Sequence, residues 1–226
     1  MSKDILRTFF GFSLPREVSR TASGLRTLVE DPKNAVRWVK GENIHLTVRF
    51  LGATPKTVLE QIGPAITEKL KNCTPMMVHI DRTGVFPVPS RPRILWMGVE
   101  GDISPLQEIE RNIHEVVGPL GFPKEQRPFV PHVTIGRVRY PQKITPDVSK
   151  FINAEFDQIE CPLNELHLFE SRPADKGVVY IPVLTFPLKA LTEGHGTGKP
   201  FQDFGLGENV SDQPQTHVTM YLSLFQ

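Results

Sequence analysis

The stretch NIHLTVRFLG (43–52) decides how this chain is read, because PHVTIGRVRY (131–140) repeats its pattern with His45 and His132 87 positions apart. In an extended strand, residues i and i+2 point to one face. His45 and Thr47 therefore share a face, as do His132 and Thr134. Leu46 and Val48, like Val133 and Ile135, take the opposite face and suit a core. An imidazole beside a hydroxyl is an odd choice for a strand that only packs. The chain has seven histidines, and on the order of half a His-x-Thr match is expected by chance. Four occur. Two of them, His195-Gly196-Thr197 and His217-Val218-Thr219, lie outside the repeat; His217-Val218-Thr219 is read as chance.

Working outward, the two halves share one order. Leu6 to Leu14 reads as a strand. Pro15 opens a helix with Val18, Ala22, Leu25, Leu28 and Val29 on one stripe. A short extended piece at Val36 to Val39 precedes the strand Ile44 to Leu51, which Gly52 closes. Thr54-Pro55 reads as the start of a helix carrying Val58, Leu59, Ile62, Ala65, Ile66 and Leu70. Met76 to Val85 is a strand followed by a proline-rich turn. The second half gives a strand at Arg93 to Val99 and a helix from Ser104-Pro105. It continues with a strand at His132 to Val138, a short helix from Thr145-Pro146, and strands near Leu163–Glu170 and Val178–Leu188. The 87-residue shift lays Phe9, Phe10 and Phe12 onto Trp96, Met97 and Val99. This predicts an internal duplication in the α+β class: two pseudo-symmetric lobes, each an antiparallel sheet with flanking helices, around a central cleft. Residues 1–189 make this bilobal domain. Residues 190–226 are a glycine-rich C-terminal extension whose role stays open, ending in the alternating VTMYLSLF.

If the lobes face each other, two imidazoles and two hydroxyls converge. Such a pair suits in-line phosphoryl displacement: the neutral ring takes a proton from the nucleophile and the protonated ring gives one to the leaving oxygen. Threonine hydroxyls can donate to the non-bridging oxygens, where charge gathers in the transition state. Arg137 is the nearest candidate cation. Strict alternation puts it on the face opposite His132, unless Gly136 permits a bulge. Phe10 and Phe50 are candidates for stacking on a base, although Phe50 shares the parity of Leu46 and Val48 and suits core packing equally. Trp38, Trp96 and Tyr180 read as core or groove wall. The rate is expected to follow a bell centred near neutral pH.

Composition bounds the rest. Apolar residues are 39% and charged residues 23% of the chain, as in ordinary folded domains. A net charge of +1 argues against a protein that grips a long nucleic acid by its phosphates, and leaves RNA ends or small cyclic nucleotides as partners. No apolar run reaches the roughly 18 residues of a membrane helix, and MSKDILRTFF lacks the features of a signal peptide. Cys73 and Cys161 stand far apart, which suits a reducing compartment. The expectation is a cytoplasmic monomer that does not bind membranes. His79, His114 and His167 have no ligand spacing and GxxxxGK[ST] is absent, so no metal and no cofactor are expected.

The segments NIHLTVRFLG, PRILWMGVEG, RPFVPHVTIGRV and LHLFESR resemble those of the two-histidine (2H) phosphoesterase superfamily. Within it they are most similar to the RNA 2′,3′-cyclic phosphodiesterases, also called 2′-5′ RNA ligases. The resemblance runs from about Leu6 to Leu188. It implies His45 as proton donor, His132 as proton acceptor, Thr47 and Thr134 as phosphate-binding residues, and no metal or nucleotide cofactor. The implied reaction is hydrolysis of an RNA-terminal 2′,3′-cyclic phosphate to a 2′-phosphate, with 2′-5′ ligation at the same site. The alternatives are a non-catalytic module that holds RNA ends or nucleotides, and a phosphodiesterase for another cyclic or 2′-5′ linked substrate.

Overall fold

Nine strands and four α-helices follow one another among the residues that the computed structural model describes, 4–189 apart from 32, 140, 142, 143 and 176. The glycine-rich extension and the His217 motif lie outside the described residues. The first half runs β1 (Ile5–Ser13), α1 (Arg16–Leu25), β2 (Val36–Trp38), β3 (His45–Pro55), α2 (Lys56–Leu70) and β4 (Met76–Phe86). The second runs β5 (Ile94–Glu100), α3 (Ser104–Val117), β6 (His132–Val138), α4 (Ser149–Ile152), β7 (Ile159–Leu163), β8 (Glu165–Ala174) and β9 (Gly177–Pro187). Helical stripes set the inward faces. Val18, Ala22 and Leu25 of α1 are buried, as are Leu106, Ile109, Ile113 and Val117 of α3.

Three local expectations are corrected. Thr54 does not cap a helix. It ends β3 inside the core, where its hydroxyl lies 2.8 Å from that of Thr8, and α2 starts at Lys56. The short fourth helix starts at Ser149, not at Thr145-Pro146, where Asp147 Oδ1 accepts from the Ser149 amide at 2.8 Å. Before β8 runs a further strand, β7, which contains Pro162 and is tolerated because it forms a sheet edge.

One antiparallel sheet has the order β3-β1-β8-β9 and the other β2-β6-β5-β4-β7. The trio β3-β1-β8 corresponds to the trio β6-β5-β4. Each trio therefore takes two strands from its own half of the sequence and one from the other half, and β9 and β2 add a second crossing strand to their sheets. The short link from β4 to β5 makes them an antiparallel hairpin in the second sheet, and β8 returns to pair with β1.

Cross-strand pairing also corrects the repeat. Phe10 pairs with Arg49 and Phe12 with Leu46, whereas Leu95 pairs with Gly136 and Met97 with Val133. The equivalent of Phe10 is thus Leu95, and that of Phe12 is Met97; all four are buried. The first strands match at a spacing two residues shorter than the histidine strands do. An even offset keeps every side chain on its face, so the sequence pattern concealed it.

A bulge recurs at the same place in both lobes. Pairing skips Val48, between Phe10↔Arg49 and Gly11↔Thr47, and skips Ile135, between Leu95↔Gly136 and Trp96↔Thr134. Each extra residue reverses the alternation beyond it. Leu46, Val48 and Arg49 are buried while Phe50 is exposed; Val133, Ile135 and Gly136 are buried while Arg137 is exposed. Arg49 turns inward, donates to the Pro123 carbonyl and pairs with Glu125 at 2.9 Å.

Candidate active site

The two bulges bring His45, Thr47 and Phe50 to one face of the first sheet. They bring His132, Thr134 and Arg137 to the corresponding face of the second. The strands that carry them, β3 and β6, contact each other. Between the sheets lies a cleft of ≈ 650 Å³, within the usual range of small-ligand sites. Its lining includes His45, Thr47, Phe50 and Arg137, with Phe9, Asn43 and Tyr180 beside them.

Both imidazoles are held alike. His45 Nδ1 lies 2.7 Å from the Asn43 carbonyl, and His132 Nδ1 lies 2.8 Å from the Val130 carbonyl. A carbonyl only accepts, so Nδ1 carries hydrogen in each ring and Nε2 is left as the atom that exchanges protons. His45 Nε2 is 2.9 Å from the Thr47 hydroxyl, which donates to it when the ring is neutral. An aromatic edge steadies each ring: Tyr180 against His45 at 5.0 Å and Phe86 against His132 at 5.2 Å between centroids. Asn43 is itself anchored, since its buried amide donates to the Val178 carbonyl at 2.7 Å and ties the turn before β3 to β9.

Arg137 reaches the cleft because of the bulge that strict alternation omits. Phe50 does so for the same reason: it is 42% exposed and lines the cleft, instead of packing in the core. Phe10 is a correction in the other direction. It is fully buried, with its ring 6.2 Å from Phe186, and cannot meet a bound base. Its neighbour Phe9 takes the cleft side, 4.7 Å from the His45 ring and 4.9 Å from Tyr180. The sequence reading passed over Phe9 and Asn43; the parity of Phe9 with Gly11 and Ser13 was the available signal for the first, and nothing marked the second. Trp38 lines the cleft, whereas Trp96 is buried under Arg82 and Phe86. Among the described residues, no group of three His, Cys, Asp or Glu side chains is placed to hold a metal ion.

Burial pushes both His45 and His132 below the ordinary histidine pKa. The hydrogen bonds to Asn43 and Val130 oppose this. The charge of Arg137 lowers both further, and His132 also lowers His45. A catalyst with one ring neutral and one protonated is then most populated, in the free enzyme, on the acid side of about pH 6.5. The bell in kcat/KM is accordingly expected below that value, not at neutrality. Bound phosphate favours protonated rings, so the kcat profile should lie at higher pH. Arg137→Gln removes a positive neighbour and should move the kcat/KM bell upward. A bell centred above pH 7 in the unaltered protein, or one that Arg137→Gln leaves in place, contradicts this electrostatic reading.

The same fold occurs in solved structures. A protein of Thermus thermophilus superposes with a TM-score of 0.67 at 25% identity, over 81% of this chain and 98% of its own. Escherichia coli LigT, crystallised with 3′-AMP, gives 0.65 at 22% identity over 83% and 100%. The class these features define is the two-histidine phosphoesterases. Residues 14–175 match the profile described as the 2′-5′ RNA ligase superfamily, and the chain belongs to that family. Curated relatives include the RNA 2′,3′-cyclic phosphodiesterase of Aquifex aeolicus, 30% identical over 81% of this chain and 98% of that protein. Another is the enzyme of the same name from Methanothermobacter thermautotrophicus, 26% identical over 81% and 99%.

Proposed function

We propose that this protein hydrolyses the 2′,3′-cyclic phosphodiester at an RNA end to a 2′-phosphomonoester, with His45 and His132 as the acid–base pair. The observation that carries the reading is the duplicated imidazole, each Nδ1 bound to a carbonyl two residues upstream, leaving both Nε2 atoms to exchange protons. In the assignment the resemblance implies, His132 takes a proton from water as its oxygen bonds to phosphorus. The bond from phosphorus to the 3′-oxygen breaks, and His45 gives that oxygen its proton. Thr47, Thr134 and Arg137 hold the non-bridging oxygens, and Phe50, with Phe9 beside it, offers an apolar ring to the terminal base. An RNA 5′-hydroxyl in place of water gives a 2′-5′ linkage by the same displacement. Relatives named for this hydrolysis align over almost their whole length, which supports it over a binding-only module.

The test is an oligonucleotide ending in 2′,3′-cyclic phosphate, incubated with the protein in excess EDTA, with the phosphate position of the product identified. Turnover to the 2′-phosphate in EDTA is expected. A 3′-phosphate product, or activity lost to EDTA and restored by a divalent ion, overturns the mechanism. Residues 1–189 carry this activity by themselves in our reading, so a chain ending there should pass the same assay. The protein works as a cytoplasmic monomer; the free thiols of Cys73 and Cys161 are compatible with that compartment. No helix among the described residues is long and apolar enough to cross a membrane.

A further inference from the structure

Among the described residues, the cleft is lined by Arg7, Arg37, Lys40 and Arg137 and by no aspartate or glutamate, on a chain whose net charge is only +1. Arg37 of β2 stands directly opposite Arg137 of β6. Like charges at opposite positions weaken a sheet. Both side chains are exposed, and among the described residues neither is ion-paired. The guanidinium of Arg37 extends toward the start of β9, its Nη2 3.8 Å from where a side chain on Gly177 would begin. A short edge strand that keeps two unpaired arginines abreast in a cleft is arranged for more negative charge than one phosphate carries. The strand is itself pinned, since both Asp31 carboxylate oxygens accept from the amides of Ala35 and Val36 at 2.6 and 2.8 Å.

We propose that Arg37, flanked by Lys40, holds the phosphodiester that precedes the terminal phosphate of the RNA, while Arg137 meets the terminal phosphate itself. This rests on the reading of the cleft as the cyclic-phosphate site. The consequence is selection of an oligonucleotide end over a cyclic mononucleotide.

Calorimetric titration with two product-like ligands decides it: a trinucleotide ending in 2′-phosphate, and a mononucleoside 2′-phosphate. Arg37→Gln is expected to weaken the trinucleotide roughly tenfold, the size of one charge-assisted contact, and the mononucleotide by less than about threefold. The slope of log affinity against log salt for the trinucleotide should shrink by about 0.7, one phosphate contact on a single strand. The ligand-free variant should melt no lower than the unaltered protein, because a repulsion is removed. Equal weakening of both ligands, or of neither, overturns the subsite. Binding is read without turnover, so failure to cleave a cyclic phosphate counts against the hydrolysis reading alone, while these titrations still decide the role of Arg37.

Discussion

Replacing either His45 or His132 by alanine is expected to lower kcat on a cyclic-phosphate oligonucleotide by roughly 10²–10⁴-fold, the usual weight of one acid–base group. The fold should survive. Both rings are only partly buried and His45 lines the cleft, whereas the core faces of their strands belong to Leu46, Val48, Val133 and Ile135. The hydrogen bonds lost are to main-chain carbonyls next to the cleft, where water can replace the imidazole. The double variant should fall little below the poorer single one, because an acid and a base that act in one step do not contribute additively. Circular dichroism and melting curves establish that each variant is folded; steady-state turnover then decides. Near-normal kcat in a folded single variant would end the two-histidine mechanism.

The second large effect is expected at a residue without a side chain. A Cβ on Gly11 would lie 2.6 Å from the main-chain oxygen of Leu46. Gly11 pairs with Thr47, beside the bulge at Val48, and two pairs further on Ser13 meets His45. A main-chain carbonyl cannot rotate away as a side chain would. Gly11→Ala must therefore push β1 and β3 apart where they position the motif. The cost of such overpacking is about 1–3 kcal/mol of stability. Displacing His45 and Thr47 by about 1 Å is enough to lose on the order of 10²-fold in rate. Gly24→Ala is the control: a Cβ there meets nothing within 4 Å, and alanine suits a helix better than glycine does. A Gly11→Ala protein that melts and turns over like the unaltered one would show that β1 and β3 are not so closely apposed.

What the sequence revealed was the part set by period and repetition. The paired His-x-Thr strands, the helix stripes of α1 and α3 and the bilobal plan are all local patterns, and they repeat. What it concealed depends on partners distant along the chain. The bulges at Val48 and Ile135 are defined by the strands opposite them, so no reading of β3 or β6 alone shows that Phe50 and Arg137 change face. Phe9 and Phe10 are both aromatic, and only the sheet determines which of them meets the cleft. β7 is not legible as a separate strand; it carries Pro162, which an edge position tolerates, and only the sheet shows that it is an edge. Asn43 acts through its carbonyl, an atom that every residue has.

The exchange of strands between the lobes bears on how the chain acquires its shape during synthesis. In the first sheet β1 gains its second neighbour only when β8 arrives, with Thr8 meeting Glu170 and Gly11 meeting His167. A nascent chain that has emerged with both β1 and β3 still lacks their neighbour. It must wait for nearly the entire second half before the inner strand is covered on both sides. Contacts so distant along the polypeptide slow folding, and a strand left unpaired in the meantime is open to other chains. The protein therefore matures as one unit late in translation, and the half that is made first has no finished state of its own.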